Sequence, residues 1–86
     1  MPIVKLTKAA RGEFATLPVT IQIRLKKLLK RLEAWPTVSG AKALRGRLAG
    51  WHRLRTGDYR VRFYIDGSEV IVDKIGHRKD VYGDGA

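Results

Sequence analysis

Between Trp51 and Ile65 the chain alternates polar and apolar residues on either side of Thr56-Gly57-Asp58. This period of two predicts β-strands joined by a tight turn. Gly57 takes a positive φ there at no steric cost, and Asp58 can bond its own backbone. Because successive side chains on a strand point to opposite faces, Arg53 and Arg55 share one face, and Arg60 and Arg62 share one face of the partner strand. The other face carries Leu54, Val61, Phe63 and Ile65. The predicted hairpin is therefore apolar on one side and densely cationic on the other.

The flanking segments supply the elements that would cover the apolar side. Ile3 to Leu6 is a β-branched run that predicts a first strand, with Pro2 suited to its beginning. Thr7 is placed to cap a helix from Lys8 to about Leu17, with Ala10, Phe14 and Leu17 on one face, and Pro18 marks its break. A second, stronger helix is predicted from Ile21 to Ala34, capped by Thr20, with Ile21, Leu25, Leu28, Leu29 and Leu32 at helical spacing. Arg24, Lys26, Lys27, Lys30 and Arg31 fill the remaining positions as a solvated outer face, and Trp35-Pro36 ends the helix.

Residues 37–49 read as a loop rich in small residues, bringing Lys42, Arg45 and Arg47 beside the hairpin. Asp66-Gly67-Ser68 predicts a second hairpin turn, followed by a third strand from Glu69 to Ile75 that ends at Gly76. The fold class that follows is α+β, a single domain over residues 1–86. Two N-terminal helices pack on one face of a small antiparallel sheet, whose other face is left basic. The first strand joins this sheet at its edge or centre.

With 86 residues the chain can form one core and little more. It has no cysteine, which excludes disulfides and thiolate metal sites. His52 and His77 with scattered acids give no metal-ligand spacing, and neither a glycine-rich phosphate loop nor a nucleophile elbow is present. No apolar run approaches a membrane span and the start lacks the apolar region of a signal peptide, so a cytoplasmic protein with no membrane partner is the expectation. The formal net charge of +10 points to a polyanionic partner, nucleic acid above all, and the clustering of arginines strengthens that reading.

The segments Lys42-Ala-Leu-Arg-Gly46, Trp51-His-Arg-Leu-Arg55, Gly57-Asp-Tyr-Arg-Val61 and Gly76-His-Arg-Lys-Asp-Val-Tyr82 together resemble the RelE branch of the RelE/ParE toxin superfamily. The likeness spans essentially the whole chain. It implies a microbial-ribonuclease-like fold and a toxin of a type II toxin–antitoxin pair that cuts messenger RNA in the ribosomal A site without metal or small-molecule cofactor. It further implies neutralisation by a cognate antitoxin, which charge complementarity makes acidic. ParE-type members share the fold but poison DNA gyrase, and the final motif, with Arg78 and Tyr82, favours the RelE branch. A plain RNA-binding module without chemistry is the third reading.

Carried over residue by residue, the resemblance places Arg60 at the family's sheet arginine, Arg78 at the arginine after the last strand and Tyr82 at the C-terminal tyrosine. Arg53 and Arg55 fall where relatives carry basic residues. Trp51 and Arg53 replace lysines of the best-known member, and arginine is too weak an acid to release protons readily, which weighs against lysine-type proton transfer on that strand. RNA cleavage of this kind needs a 2′-OH to attack the adjacent phosphorus. The tasks are to hold the phosphate, remove the 2′ proton and protonate the leaving 5′ oxygen. Arginines suit the first task, because a guanidinium stays charged and offers paired donors to phosphate oxygens.

The expected catalytic set is Arg53, Arg60, Arg78, Tyr82 and His77, with His77 and a tyrosine activated by neighbouring cations as the proton carriers. The expected phosphate- and RNA-binding set is Lys42, Arg45, Arg47, Arg55, Arg62 and Trp51. Trp51 has the parity of Arg53 and can either stack on a base or act as a cross-strand anchor. His52 points to the helix side, Tyr59 to the core, and Tyr64 shares the parity of Arg62.

Overall fold

The computed structural model describes residues 2–77. Strand β1 (Ile3–Leu6) is followed by helices α1 (Lys8–Ala15) and α2 (Val19–Arg31), the latter tightening into a 3-10 turn at Leu32–Ala34. A two-residue strand β2 (Lys42–Ala43) and a 3-10 turn (Gly46–Leu48) lead into β3 (Trp51–Thr56), β4 (Tyr59–Asp66) and β5 (Glu69–His77). The sheet order is β1-β5-β4-β3-β2. Among the described residues, no helix is long and apolar enough to cross a membrane.

The two hairpins form where the sequence places them, with Gly57 at φ 60° and Gly67 at φ 61° in the turns. Both are two-residue turns with glycine in the first central position, the geometry that matches the twist of antiparallel strands. Thr7 caps α1, its Oγ1 accepting from Ala10 N at 3.1 Å. The carboxyl end of α1 is closed from α2: Gln22 Nε2 donates to the Phe14 carbonyl at 3.0 Å and the Leu17 carbonyl at 3.1 Å. The Phe14 carbonyl also accepts from Leu17 N at 3.2 Å, so the amide adds to a turn that a backbone bond already closes.

Three expectations are corrected. Helix α2 begins at Val19 behind Pro18, whose carbonyl accepts from Ile21 N and Gln22 N, so Thr20 lies inside the helix and does not cap it. Residues 37–49 are not all loop, because Lys42–Ala43 pairs with Arg53 and His52 as a fifth strand. The sheet is mixed: β1 sits at the edge and runs parallel to β5, Ile3 to Leu6 facing Glu69 to Val72. A hairpin turn forces antiparallel pairing, but both helices and the other strands separate β1 from β5, so no turn dictates its direction.

The core lies between the helices and one sheet face. Ala10, Leu25, Leu28 and Leu32 meet Leu54, Val61, Phe63, Val70, Val72 and Ile75, all buried. Each large side chain here contributes about 1.5–3 kcal/mol of burial free energy. Trp35 closes one end, edge-on to Phe63 at 5.3 Å and to His52 at 4.9 Å between ring centres. His52 is half-buried on the helix side and stacks on Phe63, as its strand parity requires.

Strand β5 contains an irregularity that governs the site. Phe63 faces Val72 but Arg62 faces Lys74, so Asp73 is an extra residue in a β-bulge. The bulge moves the apolar phase by one position. Val70 and Val72 are core, and so is Ile75, three residues on. Beyond Val72, β1 no longer covers the outer edge of β5, and α1 takes over: Glu13 Oε1 accepts from Ile75 N at 2.9 Å. Its other oxygen lies 3.6 Å from Lys74 Nζ.

Candidate nucleic-acid interface

The register of β3 and β4 decides which side chains meet. Arg53 is opposite Arg62, Arg55 opposite Arg60 and Trp51 opposite Tyr64. Directly opposed residues project from one face, and this is the face turned away from the helices, because Leu54, Val61 and Phe63 fill the other. Opposed residues are about 5 Å apart and same-face neighbours along a strand about 7 Å. The guanidinium-bearing positions thus form a compact rectangle, and β2 extends it by placing Lys42 opposite Arg53.

Like charges set directly opposite one another destabilise a sheet, so this concentration calls for an anion, supplied from inside or outside. At one corner the anion is internal. Arg62 Nε lies 3.0 Å from Asp73 Oδ1, and Nη2 lies 2.7 Å from Oδ2, a bidentate pair that leaves the side chains only 12% and 18% exposed. Arg62 belongs to the expected phosphate-binding set, and here the structure corrects the reading: its fork is engaged by Asp73. Its guanidinium carbon also sits 5.1 Å from the centre of the Trp51 ring.

At the opposite corner Arg60 is 6% exposed, and its Nη1 donates to the Gly57 carbonyl at 2.8 Å and the Tyr59 carbonyl at 3.3 Å. The side chain is thereby folded against the β3–β4 turn, with carbonyl oxygens of the turn accepting from its guanidinium. Arg55, its cross-strand partner, is exposed. Arg53 and Lys42 complete the cationic area.

Other predicted residues lie elsewhere. Arg45 and Arg47 are exposed at the turn between β2 and β3, where Leu44 N donates to the Trp51 carbonyl. That is the far end of β3 from Arg55, about 14 Å along the strand. His77 is opposite Tyr59, edge-on at 5.7 Å between ring centres, and both line a cleft of about 280 Å³ with Glu13, Leu17 and Ile75. This is the helix side of the sheet. The bulge at Asp73 turns His77 there; with unbroken alternation it would share the arginine face. His77 therefore does not project beside Arg60, contrary to its expected place in the catalytic cluster. Arg78 and Tyr82 lie outside the described residues.

Sequence reasoning missed Asp73 and Arg24. The signal for the first is the slip in apolar phase between Val72 and Ile75. Arg24, assigned to a solvated helix face, reaches from α2 to the β3–β4 turn, where its Nη2 bonds Thr56 Oγ1 at 3.3 Å. Among the described residues, no cluster of His, Cys, Asp and Glu is grouped to hold a metal ion.

Comparison with known proteins gives a consistent set. Residues 4–82 match the family model described as the ParE toxin of type II toxin–antitoxin system, parDE. Toxin RelE3 of Methanocaldococcus jannaschii is 26% identical over 69 residues, covering 77% of this chain and 78% of that protein. The RelBE2 toxin–antitoxin complex of Mycobacterium tuberculosis contains a chain 28% identical, with TM-score 0.78 over 90% of this chain and 91% of that one. The isolated RelE toxin of E. coli is 26% identical, with TM-score 0.75 over 98% of this chain and 94% of its own.

Proposed function

The chain belongs to the ParE toxin family of type II toxin–antitoxin systems, within the RelE/ParE superfamily, and from that premise we propose that it is a ribosome-dependent messenger RNA endoribonuclease. The observation that carries this reading is the Arg53, Arg55 and Arg60 group on one sheet face, with Arg60 held by the turn carbonyls. Likeness to RelE toxins in sequence and fold supports it.

The chemistry follows from those groups. The RNA 2′-oxygen attacks the neighbouring phosphorus, the bond to the 5′ oxygen breaks, and a cyclic phosphate and a free 5′-OH result. Negative charge grows on the non-bridging oxygens as the phosphorus becomes five-coordinate. Guanidinium groups already fixed in place meet that charge without reorganising, worth about 3 kcal/mol for one well-placed donor. Arg60 suits the role best, because folding has already restricted its rotamers. In this reading Arg78 joins the phosphate cluster, and Tyr82 moves the protons between the 2′ and 5′ oxygens.

The test is incubation of purified protein with programmed ribosomes and messenger RNA, beside Arg60→Ala and Arg78→Ala. Cleavage that both variants lose supports the proposal; an intact message with the parent protein, where a related toxin cuts, overturns it. One observation favours a second reading, inhibition of DNA gyrase: the matching family model is the ParE one. Loss of gyrase supercoiling, with ribosomal messages untouched, would establish that alternative.

A cognate antitoxin is part of the proposal, since related toxins are found in complexes with theirs. The net charge of +10 favours an acidic partner. Its apolar contacts would fall on α2, where Val19 and Ile23, one turn apart, are 69% and 51% exposed beside Lys26, Lys27 and Lys30.

A further inference from the structure

The arginine face has an aromatic end that the cleavage chemistry leaves unused. Trp51 and Tyr64 are opposed across β3 and β4, with ring centres 4.5 Å apart at 66°. Both are half-buried, yet neither belongs to the core or to the partly buried residues packed on it. Large aromatic surface is normally spent on the core or on an interface. Here it stands on the opposite side of the sheet, in line with Arg53 and Arg55 along β3.

The indole is also packed by its neighbours, which restricts its rotamers. Arg62 packs on it at 5.1 Å, and Asp73 fixes Arg62 through two hydrogen bonds. The bulge that inserts Asp73 thus fixes the guanidinium that packs on Trp51. A ring whose rotamer is fixed before a ligand arrives loses little entropy on binding. Cations spaced along a strand beside such a ring are how single-stranded nucleic acids are held: phosphates along the charges, bases on the π-faces.

We propose that Trp51, edged by Tyr64, is a stacking platform for one nucleobase of single-stranded RNA whose flanking phosphates run over Arg53 and Arg55. The proposal rests on the reading that this face takes RNA, and it adds where a base is gripped. Arg53 is one same-face step from Trp51, about 7 Å, and Arg55 one step further. Stacking is tolerant of base identity, with purines favoured for their larger ring area.

The test is equilibrium binding of a labelled oligoadenylate to the full-length protein without ribosomes, by fluorescence anisotropy across a salt series. A strand of the same length with abasic riboses is the comparison. The parent is expected to bind the intact strand about tenfold or more tightly than the abasic one. Trp51→Ala should erase that preference, Trp51→Phe should keep most of it, and neither should change the slope of affinity against salt, because no phosphate contact is lost. Arg53→Ala and Arg55→Ala should instead lower the slope. Equal binding of intact and abasic strands by the parent, with a normal salt slope, overturns the platform and leaves the RNA-binding face standing. No binding of either strand overturns both. The comparison of strands uses the parent alone, so a Trp51 variant that fails to fold does not block the result.

Discussion

Arg62 and Asp73 face each other in a bidentate pair, Nε to Oδ1 at 3.0 Å and Nη2 to Oδ2 at 2.7 Å, across the bulge between β4 and β5. The pair divides the basic face: one guanidinium is neutralised within the fold, while Arg55 and Arg60 oppose each other at the turn end.

Removing Asp73 should destabilise the protein more than removing the pair. Asp73→Ala leaves a largely buried guanidinium without its carboxylate, a change that typically costs about 3–5 kcal/mol. The side chains are only 12% and 18% exposed, so solvent screens little of this. Combining it with Arg62→Leu should recover part of the loss. Urea denaturation of the parent, both single variants and the double variant reads the coupling; strict additivity would mean that the pair contributes little.

Arg60→Ala should slow ribosome-dependent cleavage by about a hundredfold or more, the cost of one fixed donor to a transition-state charge. Arg60→Lys should rescue little, because a single ammonium cannot span the turn carbonyls and a phosphate as a planar fork does. Primer extension on programmed ribosomes measures this. Circular dichroism of the variants separates lost chemistry from lost folding.

His77→Gln should leave cleavage far closer to the parent rate than the roughly hundredfold loss that follows removal of a general acid or base. The reason is positional: His77 lies opposite Tyr59 on the helix side, away from the face that holds Arg60. A loss of the hundredfold kind in the same ribosome assay would return His77 to the catalytic set.

Glu13→Ala should cost about 1–3 kcal/mol, because Ile75 N then loses its acceptor at a strand edge that β1 no longer covers. Glu13→Gln keeps a side-chain oxygen for that N–H and should cost less. Thermal unfolding gives the ranking. Hydrogen exchange at Ile75, faster in the alanine variant, locates the effect.

Much of this architecture was legible from local pattern. Arg53, Arg55, Arg60 and Arg62 share a face because β3 and β4 alternate without interruption and a glycine turn fixes their register. Thr7 was readable as a cap because capping needs only a hydroxyl within one turn of the helix start. Strand β2 was not readable. Two residues rich in neither β-branched nor aromatic side chains carry no periodic signal, and only the offered edge of β3 makes them a strand.

The sequence by itself determined that one side of the β3–β4 hairpin is apolar and the other cationic, since strand parity is a property of adjacent residues. Tertiary structure decided where the charges end up and what they meet inside the fold. Whether Arg62 meets a phosphate or a carboxylate, and whether His77 joins Arg60 or Tyr59, depends on a single extra residue in β5. That bulge exists because Val72 and Ile75 must both reach the core. Burial of the apolar residues sets the phase, and the polar residues between them go where that phase sends them.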